Sequence, residues 1–431
     1  MHVTVATGEG LAREMRVELS AEEIEQEVDK RLRDVARNAR LPGFRPGKVP
    51  MRVLRQRFGD SVRGEVFGEK VEASFSEAIA NEELRPAGVP QIEPDVDKAA
   101  QRYAYTARFE VLPEIELRDL SGRQIKRPVA EVTEGDVDTM IERLREQRKT
   151  WSEVERPAVD GDRVTISFRG TVDGQMFEGG SGEDQPVVIG SGRLVPGFEE
   201  QLIGAAAGDA RTVEIAFPAD YRAEDLAGKD AVFDVQIAKV EEPVLPALDE
   251  EFFREFGIGE GGLEAFRADV RANMERELGE RLKARVKEQV MDALIDANPV
   301  DAPSALIERE IKELKGQAQP AARGGSFDLP DSLFADTAKR RVMLGLLIAE
   351  VAKRYQLQPD PERIRSHVDE LAATYDEPQS VVDYYYADRA RLSSIESLVL
   401  EQMVVDRLLE DVEIVDEPTT FAAVTSPQSS T

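Results

Sequence analysis

The chain has 431 residues, 41% of them hydrophobic and 33% charged, and a formal charge of −29 at pH 7. That length suits about two to four domains, and the composition suits solvated surfaces over real cores. With no cysteine and only His2 and His367 as imidazoles, the chain excludes disulfides and thiolate metal sites and argues against structural zinc.

The N-terminal MHVTVATGEG has no basic region followed by an apolar stretch, so no secretory signal is predicted. The most apolar later run, Val342 to Ala352, is shorter than the ~20 residues that span a bilayer. A cytoplasmic protein without membrane association is expected. Arg13 to Leu19 alternates Met15, Val17 and Leu19 with charged residues, the period of a half-buried strand. Ser20-Ala21-Glu22-Glu23 is a capping box that predicts a helix to about Arg40.

Between Asp34 and Asp60 this acidic chain reverses sign. Arg37, Arg40, Arg45, Lys48, Arg52, Arg55 and Arg57 occur there with no acidic residue among them. The centre, Leu41 to Pro50, packs prolines and glycines between helix-forming flanks, which predicts a shaped loop. Phe44 at its tip is expected to be exposed, which for a large apolar side chain implies a covering partner. A basic loop on an acidic molecule turns that face toward a polyanion; the alternative is a solvated charged turn. Pro50 reads as the first residue of a second helix, and Asp60 as the cap of a third running to about Leu84. Arg102 to Val111 alternates again, so a helix-loop-helix over a small antiparallel sheet is predicted for an N-terminal α+β domain, residues 1–112.

Residues 113–157 read as a linker with one charged helix, Glu134 to Lys149, capped by Thr133. Its few apolar positions predict that it leans on a neighbouring domain. From Asp160 the texture changes to short β segments with glycine-rich turns, and Asp173-Gly174 is a hairpin signal. Strands at Arg163–Phe168, Arg211–Phe217 and Ala231–Val240, with one short helix after Leu194, make residues 158–242 a β domain. Residues 243–415 read as all-α. Leu263, Phe266, Val270, Met274, Leu278, Leu282, Val286, Val290 and Leu294 mark one helix of about 50 Å. Apolar residues every four positions drift ~40° per step around a helix, so different partners must meet its two ends or part of it faces solvent. After the break at Asn298–Pro303, helices are predicted over Pro303–Gln317, Asp331–Tyr355, Pro361–Thr374 and Gln379–Glu413, with a loop at Gly324-Gly325 and Pro330. Tyr384-Tyr385-Tyr386 reads either as an exposed adhesive patch or as packing beneath the next helix. The Thr-, Ser- and Pro-rich end, residues 416–431, is expected to be disordered.

Three motif sets carry a resemblance. Gly43-Phe44-Arg45-Pro46-Gly47-Lys48-Val49-Pro50 resembles the ribosome-docking signature of the trigger factor family, with Pro46 standing where lysine is common. The combination V-D-G-x-x-F-E-G, V-P-G-F-E and F-P-x-x-Y resembles the FKBP-type prolyl isomerases. Asp249-Glu250-Glu251-Phe252 and Asn298 to Leu306 again resemble trigger factor, extending the likeness to essentially the whole chain. It implies an N-terminal ribosome-binding domain, an FKBP-like antiparallel β domain with one short helix, and an all-α chaperone domain with arms.

The implied activities are shielding of nascent polypeptides at the exit tunnel and cis/trans isomerisation of X-Pro bonds, without a cofactor. The alternative is a dedicated prolyl isomerase whose helices only recruit substrate. Implied partners are the large ribosomal subunit (a ribosomal protein and rRNA), unfolded nascent chains, and a second copy in a homodimer off the ribosome. By position, Gly43, Phe44, Arg45, Pro46, Gly47 and Lys48 would dock. Phe168, Phe177, Val195, Phe198, Tyr221 and Phe233 would line the isomerase pocket, each weighed against a place in the core of a small β domain. Tyr221 would offer a hydroxyl, Glu178 stands where aspartate is usual, and Gln185 stands where an aromatic is common. Isomerisation needs no nucleophile. Its ~18–20 kcal/mol barrier is rotation about a partial double bond, and the twisted state has a less polar carbonyl, which an apolar pocket favours differentially.

Overall fold

The computed structural model describes residues 2–38, 44, 49–97, 102–223, 225–318, 329–373, 375 and 377–426. By internal contacts the chain divides into two compact units, Met1–Arg127 with Ala284–Asp416, and Pro128–Lys283 with Glu417–Thr431.

In the first unit, β1 (His2–Thr7) and β2 (Ala12–Leu19) lead into α1 (Ala21–Asn38), where the Ser20 hydroxyl accepts from the Glu23 amide at 3.4 Å. α2 (Met51–Asn81) follows, then β3 (Gln91–Asp97) and β4 (Arg102–Glu110). The sheet order is β1-β2-β4-β3, all antiparallel. The separate helix expected from Asp60 does not exist. Leu54, Phe58, Val62 and Val66 continue one face through Asp60, and α2 runs unbroken with Pro50 at its N-cap. Its first half packs with Ile24, Val28 and Leu32 of α1, and its second half lays Val71, Phe75 and Ala78 on Met15, Tyr105 and Phe109 of the sheet.

β5 (Gln124–Val129) follows, and the boundary between the two units falls within it. The second unit opens with α3 (Glu134–Gln147), whose Thr133 and Asp136 form a reciprocal capping box. β6 (Thr150–Glu153), β7 (Arg163–Val172), β8 (Gln175–Val188), β9 (Ala210–Ala216) and β10 (Asp230–Val244) build one antiparallel sheet of order β6-β10-β7-β8, with β9 paired to β10. Asp173 and Gly174 both have positive φ, 52° and 79°, the two-residue turn that matches strand twist. The short helix predicted after Leu194 is a single 3₁₀ turn, Glu200–Leu202.

α4 (Glu250–Glu255) precedes α5 (Gly262–Ala297), a 36-residue helix. The winding stripe is resolved as the spacing requires. Phe266, Val270, Met274 and Leu278 are buried with Val137 and Ile141 of α3 and Phe252 and Phe253 of α4. Farther along, Val290, Met291 and Leu294 are buried in a different core. That core belongs to the first unit and includes Leu347 and Val351 of α7 (Ala335–Arg354) and Val404 and Leu408 of a later helix.

α6 (Ser304–Ala318) precedes α7; α8 (Pro361–Ala372), α9 (Pro378–Tyr386) and α10 (Arg389–Leu409) follow it. The single helix expected over Gln379–Glu413 is two, because Asp388 leaves helical geometry and its side chain caps the amide of Ala390 at 2.8 Å. The expected loop at Gly324-Gly325 lies outside the described residues. The expected disorder of residues 416–431 is corrected over residues 416–426. β11 (Glu413–Pro418) pairs with β5, and α11 (Phe421–Thr425) buries Phe421 and Val424 in the α3–α5 core. Residues 427–431 lie outside the described part. Among the described residues no helix is long and apolar enough to cross a membrane.

Candidate isomerase site and basic hairpin

The β domain gathers its aromatics around one ring. Phe233 on β10 lies 6.1 Å from Phe168 on β7, 6.0 Å from Phe177 on β8 and 5.3 Å from Phe198 in the turn before the 3₁₀ segment. The interplanar angles of 60°, 90° and 81° put ring edges against ring faces, as the aromatic quadrupole prefers. Phe198 and Phe233 are buried, Phe168 and Phe177 half-buried, and Val195 packs at the rim.

Three glycines make room. A Cβ on Gly170 would meet the Phe233 ring at 2.4 Å, one on Gly180 the Phe177 ring at 2.9 Å, and one on Gly182 the Phe168 ring at 2.8 Å. The rings therefore lie directly on backbone.

Tyr221 joins this cluster through a residue that sequence reasoning did not assign. Phe217, just after β9, sits 5.9 Å from Phe177 and 4.7 Å from Tyr221. It is the first residue of the F-P-x-x-Y motif, so the signal was present. Tyr221 itself is 36% exposed. Glu178 is not brought in. It is exposed beside half-buried Phe177 on β8 and has no hydrogen-bonding or ionic partner among the described residues. Gln185 is also exposed and donates to the Glu183 carbonyl at 2.8 Å.

Glu199, the last residue of V-P-G-F-E, holds the rim in shape. Its buried carboxylate accepts from the amides of Gly192, Arg193 and Leu194 at 3.0, 3.0 and 3.1 Å and from the Ser191 hydroxyl at 3.1 Å. Burial alone would push its pKa up, but the converging donors outweigh it and hold the group below the usual range. The loop carrying Val195 and the turn carrying Phe198 are thereby tied together. Beneath the sheet, Arg156 clamps the buried Asp162 at 2.6 and 3.0 Å and keeps that carboxyl low against the opposing effect of burial.

The second candidate surface is the end of the α1–α2 hairpin. Phe44 is 40% exposed there; Gly43, Arg45, Pro46, Gly47 and Lys48 lie outside the described residues. Glu25 of α1 accepts from the Tyr103 hydroxyl at 2.7 Å and from Arg63 of α2 at 3.0 Å. Burial opposes its charge, yet these donors keep its pKa low. On α9, Tyr385 packs inward while Tyr384 and Tyr386 are exposed, with the Arg391 guanidinium 3.7 Å over the Tyr384 ring.

Comparison with known proteins covers nearly the whole chain. The family model described as bacterial trigger factor protein matches residues 1–144, its C-terminal counterpart residues 262–410, and that of FKBP-type peptidyl-prolyl cis-trans isomerase residues 154–238. The chain is 47% identical over 430 residues to the trigger factor of Azotobacter vinelandii, covering 99% of this chain and 98% of that protein. It is 47% identical over 427 residues to the trigger factor of Cellvibrio japonicus, covering 98% of each. With the trigger factor of Thioalkalivibrio sulfidiphilus it shares 45% identity over 431 residues and 99% of each chain.

Proposed function

The chain belongs to the bacterial trigger factor family, a chaperone family with an FKBP-type prolyl isomerase domain, and from that premise we propose how this molecule divides the work. Residues 1–112 dock on the ribosome through the loop Gly43 to Lys48, with Phe44 and Arg45 as the leading contacts with a ribosomal protein and rRNA of the large subunit. Residues 158–242 isomerise X-Pro bonds, residues 243–415 hold unfolded nascent chain, and residues 113–157 join them. The protein works in the cytoplasm and forms homodimers away from the ribosome.

The observation that carries the isomerase assignment is the ring cluster centred on Phe233, to which the exposed Tyr221 is joined through Phe217. A prolyl ring set against these faces leaves water while Tyr221 donates to a substrate carbonyl outside the X-Pro bond that twists. As the C–N bond twists, the carbonyl loses polarity, and a dry aromatic wall penalises that state less than the planar one. Phe168, Phe177, Val195, Phe198 and Phe233 provide the wall, and Glu178 has no part in it. Uncatalysed isomerisation takes tens of seconds or longer, so an attached isomerase shortens the slowest step of a client's folding.

Exposed Phe44 in a sequence stretch rich in arginine and lysine supports docking: an apolar anchor with cationic neighbours in sequence suits a surface made of protein and RNA. Replacing Phe44 and Arg45 by alanine should abolish co-sedimentation with ribosomes; wild-type levels of binding would remove the docking assignment. A Phe198→Ala variant should lose peptide isomerisation yet still suppress aggregation of an unfolded client. Loss of both together would favour a dedicated isomerase with recruiting helices.

A further inference from the structure

The two helices of the basic hairpin are joined along one flank by cross-helix ion pairs. Nearest the sheet, Arg63 of α2 meets Glu25 of α1 at 3.0 Å. Next toward the loop, the Arg55 guanidinium grips Asp29 with Nε to Oδ1 at 3.1 Å and Nη2 to Oδ2 at 2.6 Å. On α1 these acids sit four residues apart, so the following position on the same flank is residue 33. The two pairs step four residues along α1 and eight along α2, and the next position toward the loop on the Arg63 side of α2 is residue 52, ~20° around the helix from Arg63.

Both positions are arginine. Arg33 and Arg52 are exposed and have no ion pair or hydrogen bond among the described residues. Nor does the intervening loop hold a counter-charge, because the sequence between Asp34 and Asp60 contains no carboxylate. Asp34 is engaged by Arg37 at 3.5 Å. The ladder thus changes from acid-with-arginine to arginine-with-arginine at the end of the hairpin, on a molecule of charge −29. Two like charges on one flank with no carboxylate between them oppose the packing of α1 on α2, so the arrangement is one that an outside anion completes.

We propose that Arg33 and Arg52 form a two-guanidinium clamp for RNA backbone phosphate, lying on the hairpin flank behind the loop. The inference rests on the ribosome-docking assignment above and adds to it a phosphate site made by helix residues. Guanidinium forks suit phosphate oxygens bidentately. Arg55 is withdrawn from the task because its fork is filled by Asp29. Arg57 is also exposed and without an ion pair among the described residues. It lies ~140° around the helix from Arg52 and has no place in the clamp.

The test measures binding of the full-length chain to purified bacterial ribosomes as a function of salt, for wild type, Arg33→Gln/Arg52→Gln and Arg57→Gln. Each neutralised phosphate contributes about one unit to the log–log slope, so the double variant should lose about two units of slope while Arg57→Gln keeps the wild-type value. Circular dichroism should be unchanged and the melting temperature unchanged or slightly raised, since both side chains are exposed and the variant removes their mutual repulsion. An unchanged slope in the double variant overturns the clamp, and so does an equal loss in Arg57→Gln, which would mean a diffuse field. Weaker binding at unaltered slope also overturns it, by assigning the two arginines to a protein surface. Failure of the wild-type chain to bind at all, with its fold intact, would instead overturn the docking assignment beneath it.

Discussion

Glu199 gives the turn beside the ring cluster an acid-sensitive anchor. A carboxylate held below its ordinary pKa of 4.5 contributes stability that is fully present above that value and is lost as pH falls through the lower, folded-state pKa. Urea unfolding followed by Trp151, the only tryptophan, should therefore show the wild-type chain weakening below about pH 4.5. Glu199→Gln should be destabilised by ~1.5–3 kcal/mol at neutral pH, the scale of hydrogen bonds to a charged group, and should weaken less steeply in acid. Some acid sensitivity should persist, because Asp162 is held low as well, by Arg156 against burial. A second expectation concerns Tyr221. Removing the hydroxyl with Tyr221→Phe should lower kcat/KM for a prolyl peptide about 2- to 10-fold, the equivalent of ~0.5–1.5 kcal/mol, without moving the melting temperature. An unchanged rate would assign the hydroxyl no part. At this scale the aromatic residue types were legible because motifs name them. Phe217 and Glu199 stood inside the same motifs, but their roles emerge only when β9 and the 191–199 turn are folded against the sheet. Glu178 was singled out because it stands where isomerases of this fold usually carry aspartate; it lies exposed on β8, in the stretch between Met176 and Ser181 where the register with β7 shifts.

Elements with a long, regular period were the most legible. The strands β2, β4, β7 and β10 and the helices α1, α3, α5, α6 and α8 lie close to where alternation, spacing and caps put them. The errors arose where local chemistry and periodicity disagreed. At Asp60, cap chemistry suggested a start, but apolar residues every four positions and burial on α1 kept α2 continuous. At Asp388 the reverse held, and a side-chain cap split a stretch whose composition is helical throughout. The end of the chain misled most. Phe421-Ala422-Ala423-Val424 is too short for a period, and its burial depends on residues of α3, α4 and α5 distant in sequence. Phe421→Ala should accordingly destabilise this core by ~3–5 kcal/mol, measurable by denaturant unfolding; an effect under about 1 kcal/mol would return the segment to the status of a tail. Asn298 is a comparable staple in the other unit. Its buried side chain accepts from the Arg118 amide at 2.6 Å and donates to the Leu294 carbonyl at 3.0 Å, so Asn298→Ala should cost ~1–3 kcal/mol.

On the scale of the whole molecule, sequence order and spatial order diverge. Three successive sequence domains with a linker describe the motifs, but the compact units each recruit two separated stretches of chain. Periodicity reports what lies on one face of an element and is blind to which distant element covers that face. The isomerase core, Ala158 through Val240, shares no buried residue with the α3–α5 core. A fragment of residues 150–246 should therefore fold and isomerise peptides alone. A fragment of residues 1–246 should instead expose Val137 and Ile141 and aggregate, which light scattering would register. The burial of Phe421 and Val424 against Val132 and Phe266 also has a bearing on biogenesis. Translation delivers these partners at opposite ends of a long wait, so most of the polypeptide is made before that hydrophobic seam can close. Stop codons, C-terminal fusions or pauses placed upstream of Phe421 leave the seam open, and a newborn copy then needs the same shelter that it is proposed to give to others.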